Sequence, residues 1–139
     1  MGDRSNIVVK QPDGSSVWLY GHWMGEDSIR IVHEVLSRKQ RWADHAYLAR
    51  MLFNKMTEGS IDGETGYGIS TTMQDNEYPI IVLNPSLQTA WLEEYKWDGS
   101  KSFEVITPVV TFEEFVSASS VSDDFVNLAV NMGAKLVAA

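Results

Sequence analysis

The chain has 139 residues, 44% of them hydrophobic and 22% charged, with no cysteine and a formal net charge of −8. That length fits one domain, residues 1–139, with a core of its own, and the composition excludes a disordered chain. The lack of cysteine excludes disulfides, thiolate metal sites and a catalytic thiol, and neither a membrane-span-length apolar run nor a signal-peptide layout is present, so a soluble cytosolic domain is expected.

Residues 6–10 read as a strand, and Gln11-Pro12-Asp13-Gly14 as a turn. Residues 17–23 are rich in types that fit a pleated surface and return as the second strand of a hairpin. Alternation would put Val17, Leu19, Gly21 and Trp23 on one face, and Trp18, Tyr20 and His22 on the other. Gly25-Glu26-Asp27-Ser28 starts a helix whose Ile29, Val32 and Leu36 share a stripe, with Arg38 and Lys39 near its negative end. A second helix follows, with Asp44 as N-cap, Leu48, Met51, Leu52 and Met56 as its apolar face, and Trp42 stapling its start.

Residues 57–65 have loop composition. Strand-like runs at 67–72 and 78–83 are expected to form a hairpin through Gln74-Asp75-Asn76-Glu77. The continuous apolar run at 80–83 marks a central strand or one covered on both faces, and Pro79 stands at its start, where a strand tolerates proline. Residues 89–97 fit a helix or a strand. The Asp98-Gly99 dipeptide and the returning pattern at 103–106 favour the strand, with Trp91, Glu93, Tyr95 and Trp97 on one face. Thr111 and Glu114 form a capping box for a short helix, and Ser122-Asp123-Asp124 starts a last helix carrying Phe125, Leu128 and Ala129, closed by Gly133. The expected fold is α+β: an antiparallel sheet of about six strands from hairpins, a helical pair inserted after the first hairpin, and short C-terminal helices.

Charge is unevenly spread. Residues 1–55 hold 8 Lys/Arg and 6 Asp/Glu, whereas residues 56–139 hold 3 and 13. The acidic part cannot neutralise phosphates, so nonspecific nucleic-acid binding is not expected. Arg38, Lys39 and Arg41 form the one cationic cluster, which reads as a solvated junction between helices.

Three histidines, His22, His33 and His45, would make an open zinc site if the helices carried them over the hairpin. Their spacings of 11 and 12 residues match no short metal motif, and hydrogen-bonded histidines at a helix seam are the simpler expectation. Gly63, Gly66 and Gly68 precede a strand, lack a following lysine and are flanked by acids, so they make no phosphate loop. Glu93 and Glu94, adjacent on a strand, face opposite ways, while the Glu113-Glu114 and Asp123-Asp124 pairs are accounted for at helix starts. No nucleophile elbow is present, Asn6 breaks the myristoylation pattern, and Gly2 offers no N-terminal nucleophile.

The aromatic residues remain: five Trp in 139 residues is more than one core needs, and several fall on predicted hairpins. An exposed aromatic strip beside Glu93 and Glu94 would be a protein-binding surface or a homodimer seam.

Four stretches carry a resemblance: Met1-Gly2-Asp3-Arg4-x-Asn6-Ile7-Val8-Val9, Val17-x-Leu19-Tyr20-x-His22-Trp23, Arg41-Trp42-x-Asp44-x-x-Tyr47-Leu48-Ala49-Arg50 and Glu64-Thr65-Gly66-Tyr67-Gly68-Ile69-Ser70. With Phe112-Glu113-Glu114-Phe115 further on, they resemble a family of small proteins of actinobacterial phages, mycobacteriophages especially. The resemblance carries no catalytic residue across. It implies a nonstructural phage protein in the host cytoplasm that acts by binding a host or phage protein.

The leading expectation is therefore a non-enzymatic binding protein without a cofactor, possible as a homo-oligomer, with no membrane partner. Its contact residues are expected at Trp91, Tyr95 and Trp97 and at the Gly66-Tyr67 loop. Two other expectations stand beside it. One is a metal-dependent hydrolase using His22, His33 and His45; the other is an acidic DNA mimic that occupies a DNA-binding protein.

Overall fold

The computed structural model describes residues 3–25, 27–97 and 99–117. Their elements are β1 (Ser5–Lys10), β2 (Ser16–Gly21), α1 (Asp27–Leu36), α2 (His45–Met56), β3 (Tyr67–Ser70), β4 (Ile80–Asn84), β5 (Thr89–Tyr95), β6 (Phe103–Val105), β7 (Val110–Thr111) and α3 (Phe112–Ser117). This is an α+β fold, with a mostly antiparallel sheet and the helical pair inserted after the first hairpin. The last helix expected from Ser122-Asp123-Asp124 lies outside the described residues.

The sheet runs β3-β2-β1-β4-β5-β6, with β7 pairing β5 beside β6. Its centre is a parallel pair, β1 with β4, in the register Ile7↔Ile81, Val8↔Val82, Val9↔Leu83. All six residues are buried. Two unbroken apolar runs need cover on both faces, and only the middle of the sheet supplies it. The hairpin expected between residues 67–72 and 78–83 therefore does not form. β3 pairs with β2 at the sheet edge, where the exposure of Ile69 is tolerable, and β4 inserts beside β1.

The segment from β3 to β4 consequently crosses β2 and β1. It is tied down by Asn6, whose Nδ2 donates to the Asn76 Oδ1 at 2.9 Å and to the Asp75 carbonyl at 3.1 Å. Asn76 in turn donates to the Tyr78 carbonyl at 2.7 Å. Arg4 adds its carbonyl, which accepts from the Glu77 N–H at 2.8 Å, its own N–H, which donates to the Glu77 carboxylate at 3.0 Å, and an ion pair with Asp75 at 3.2 Å. Asn6 and Asn76 are both buried, which makes this amide pair costly to break.

One sheet face carries Ile7, Val9, Leu19, Ile81, Leu83, Ala90 and Leu92 into the main core beneath the helices. From α1, Ile29, Val32 and Leu36 enter it as expected, joined by Ile31 and Val35; from α2 come Leu48, Met51, Leu52 and Met56. Asp44 caps α2 by accepting from the Tyr47 N–H at 3.0 Å. Trp42 packs edge-to-face on Phe112 and donates its indole N–H to the Leu36 carbonyl at 3.0 Å. The Thr111–Glu114 capping box is reciprocal, at 2.8 and 3.0 Å.

β2 stops at Gly21, so Trp23 leaves the sheet and stands 62% exposed rather than continuing the face of Leu19. The turn depends on the glycine: a Cβ at residue 21 would lie 2.6 Å from the Met24 Cβ, and Met24 is buried over that spot. Among the described residues no helix is long and apolar enough to cross a membrane.

Candidate functional site: a concave aromatic face

The other sheet face has only a small buried cluster, Val8, Ile80 and Val82, with Trp18, Met73 and Trp91 packed against it. Alternation along β5 puts Trp91, Glu93 and Tyr95 on this face, and the β5–β6 register sets Phe103 opposite Tyr95 and Val105 opposite Glu93. Trp97, just past β5, packs edge-on against Tyr95 at 4.6 Å between ring centroids. Tyr95 meets Phe103 at 4.9 Å, and Phe103 meets Trp18 at 5.6 Å. These four rings form one chain of contacts.

The last contact defines the shape of the face. Trp18 belongs to β2, and three strands separate it from β6. In a flat sheet that separation would be about 19 Å, more than two aromatic side chains span. The sheet therefore curls toward this side into a concave surface, with Trp18 and Trp91 packed over Val8, Ile80 and Val82. Its rim stays open: Trp97 is 65% exposed, Val105 50% and Phe103 42%.

Polar groups sit at fixed positions on it. The Trp91 indole N–H donates to Glu93 Oε2 at 2.7 Å, which satisfies the ring's polar edge and fixes the carboxylate. Away from this face, on the other side of the same hairpin, Glu94 and Glu104 hold Lys96 between them at 3.7 and 3.4 Å. Glu104, with Glu94, raises the Lys96 ammonium above its ordinary 10.5, so this cation stays charged at any physiological pH. Further along the face, burial raises the Tyr20 phenol above its ordinary range against the pull of Arg4, so the phenol is not an available base.

Tyr95 and Trp97 thus meet, and Trp91 lies on the same face against the Val8 cluster, but the Gly66-Tyr67 loop does not join them. Tyr67 pairs with Gly21 and packs on the helix-side core, bounding a separate depression of about 200 Å³ with Trp23, Arg30 and Met56. Gly66 is needed for its backbone: φ is +85°, and its carbonyl accepts from the His22 N–H at 2.8 Å.

The histidines do not gather. His22 Nδ1 lies 3.0 Å from the Tyr20 hydroxyl, His33 Nε2 lies 3.2 Å from the Val116 carbonyl, and His45 bonds to the Gln11 side chain. His33 ties α1 to α3 and His45 ties α2 to the turn after β1, whereas His22 bonds locally at the end of β2. Among the described residues no group of three His, Asp or Glu is placed to hold a metal.

Phe103 and Trp18 join the site although sequence reasoning did not single them out as contact residues. Phe103 was within reach, because the hairpin register sets it opposite Tyr95. Trp18 was not, because its place depends on the curl of the whole sheet. Compared with known proteins, the chain matches no family model, no curated protein and no solved structure.

Proposed function

We propose that this protein acts by binding another protein on the concave aromatic face, in the host cytoplasm as the phage resemblance implies. The observation that carries the reading is the chain of rings Trp97–Tyr95–Phe103–Trp18, open at Trp97, Phe103 and Val105. Aromatic anchors in a concavity are the usual centre of a protein interface. The fixed Glu93 carboxylate selects a partner presenting an apolar side chain flanked by Lys or Arg. The acidic-mimic reading has less support, because Glu58, Asp75, Glu77, Glu94, Glu104 and Glu113 are scattered over several elements and each is ion-paired within the chain.

The test compares retention from host lysate at low and high salt by wild type, Trp97→Ala and Phe103→Ala. A dominant partner is expected to survive high salt on wild type, with each variant binding about 30-fold more weakly or worse while melting within a few degrees of wild type. Equal retention by the variants, or a partner lost with salt alone, refutes the aromatic interface. Sedimentation of wild type alone distinguishes a second copy of the chain as the occupant.

A further inference from the structure

We propose that the groove between the end of α1 and the outer side of α2 binds a small phosphate-bearing anion through Arg38 and Arg50. The groove is on the helix side of the sheet, so the proposal does not depend on the aromatic face.

Residues 38–55 contain five cations. Lys39 pairs with Glu113 at 3.0 Å, Arg41 with Asp44 at 3.8 Å, and Lys55 with Glu34 at 3.1 Å and Glu58 at 3.0 Å. Among the described residues no carboxylate lies within ion-pair distance of Arg38 or Arg50. These two, in a chain of net charge −8, line the same concavity of about 290 Å³.

Tyr47 holds the guanidinium carbons of Arg41 and Arg50 each 4.5 Å from its ring centroid, which fixes Arg50 without neutralising it. The amides of Gln40 and Asn54 line the same wall and add neutral donors, and Met51 supplies an apolar patch. Glu58, also on the rim, has its charge answered by Lys55.

The chemistry of the occupant follows. Two guanidinium forks suit the several oxygens of a phosphate, which accepts paired hydrogen bonds. The volume admits a phosphate group with a small organic body. An extended polyanion is disfavoured, because it would run from this local cationic spot into the field of an acidic protein, whereas at about 0.1 M salt a compact anion is screened from charges beyond about 10 Å.

The experiment titrates pyrophosphate into the full-length protein at low salt, by calorimetry and by NMR of the Arg Nε–H and Asn and Gln side-chain amide signals. Arg38→Gln, Arg50→Gln and Lys39→Gln are measured in parallel. Wild type is expected to bind one pyrophosphate saturably, shifting the Arg38, Arg50, Gln40 and Asn54 signals. Arg38→Gln and Arg50→Gln should each weaken binding about tenfold or more, the loss expected for a charge-assisted bond, while Lys39→Gln changes it by less than about twofold. No saturation by wild type up to about 10 mM overturns the proposal. So does an equal loss in Lys39→Gln, which would mean diffuse charge rather than a site. The wild-type NMR shifts need no variant, so a variant that fails to fold leaves the test intact.

Discussion

Replacing Asn6 with Ala tests the crossing of the sheet by the segment between β3 and β4. The side chain is fully buried, and its Nδ2 holds the Asn76 Oδ1 at 2.9 Å and the Asp75 carbonyl at 3.1 Å. Truncation removes both donors. Asn76 is itself buried, so its oxygen loses its partner away from water at a cost of about 1–3 kcal/mol, and the part-exposed Asp75 bond adds about 1 kcal/mol. Truncation also removes the Asn6 Oδ1, which is buried without a partner, and this returns part of the cost, so a net loss of about 1–3 kcal/mol is expected against the 5–15 kcal/mol that typically holds a domain together, with a melting point lower by roughly 3–10 °C. Urea unfolding followed by tryptophan fluorescence measures it, since Trp18 and Trp91 sit on the face that the segment crosses. Asn76→Ala breaks the same network, so the double variant should cost at least about 1 kcal/mol less than the two single losses combined. A loss below about 0.5 kcal/mol for Asn6→Ala, or strict additivity in the double variant, would refute the argument that this amide pair holds β4 in the middle of the sheet.

Two further outcomes follow from local geometry. Gly21→Ala should cost about 1–3 kcal/mol by thermal melting, because its Cβ would meet the Met24 Cβ at 2.6 Å. Adding Met24→Ala keeps that Cβ, so rescue by the double variant would show that the clash is not the cause. In the first turn, the Asp13 carboxylate accepts from the Ser15 hydroxyl at 2.6 Å and the Ser15 N–H at 3.0 Å, which lowers its pKa below the ordinary 3.8. The stabilisation is therefore complete above pH 3.8 and is lost as pH falls through the folded value. An NMR titration should place the Asp13 midpoint below 3.8 and move it upward in Ser15→Ala; an unchanged midpoint would count against these bonds.

The sequence by itself determined what neighbouring residues decide. The Gln11–Gly14 turn closes through a bond from the Gly14 N–H to the Gln11 carbonyl at 3.0 Å, and Gly14 adopts φ +89°, as its turn composition requires. The Asp44 cap, the apolar stripes of α1 and α2 and the Thr111–Glu114 box were equally legible, because propensity, periodicity and capping act within a turn or two of chain, whereas the strand at β5 fitted a helix as well and was favoured only by the turn and returning pattern that follow it. Trp91, Glu93 and Tyr95 shared a face for the same reason.

Tertiary structure alone decided which strands meet. Residues 67–72 and 78–83 carry every local mark of a hairpin, yet burying 80–83 on both faces favours β1 as the partner, and a buried amide pair some 70 residues apart in sequence secures the crossing. The histidines separate because two of them bond to distant segments that their own helices cannot specify, Gln11 for His45 and Val116 for His33, while His22 bonds locally to Tyr20. Trp18 reaches Phe103 because twist accumulates over five strands into a curl that no single strand encodes. The candidate surface was visible in part as an aromatic hairpin. Its concavity exists only once the whole sheet is assembled, since curvature is a property of the stacked registers and not of any one of them.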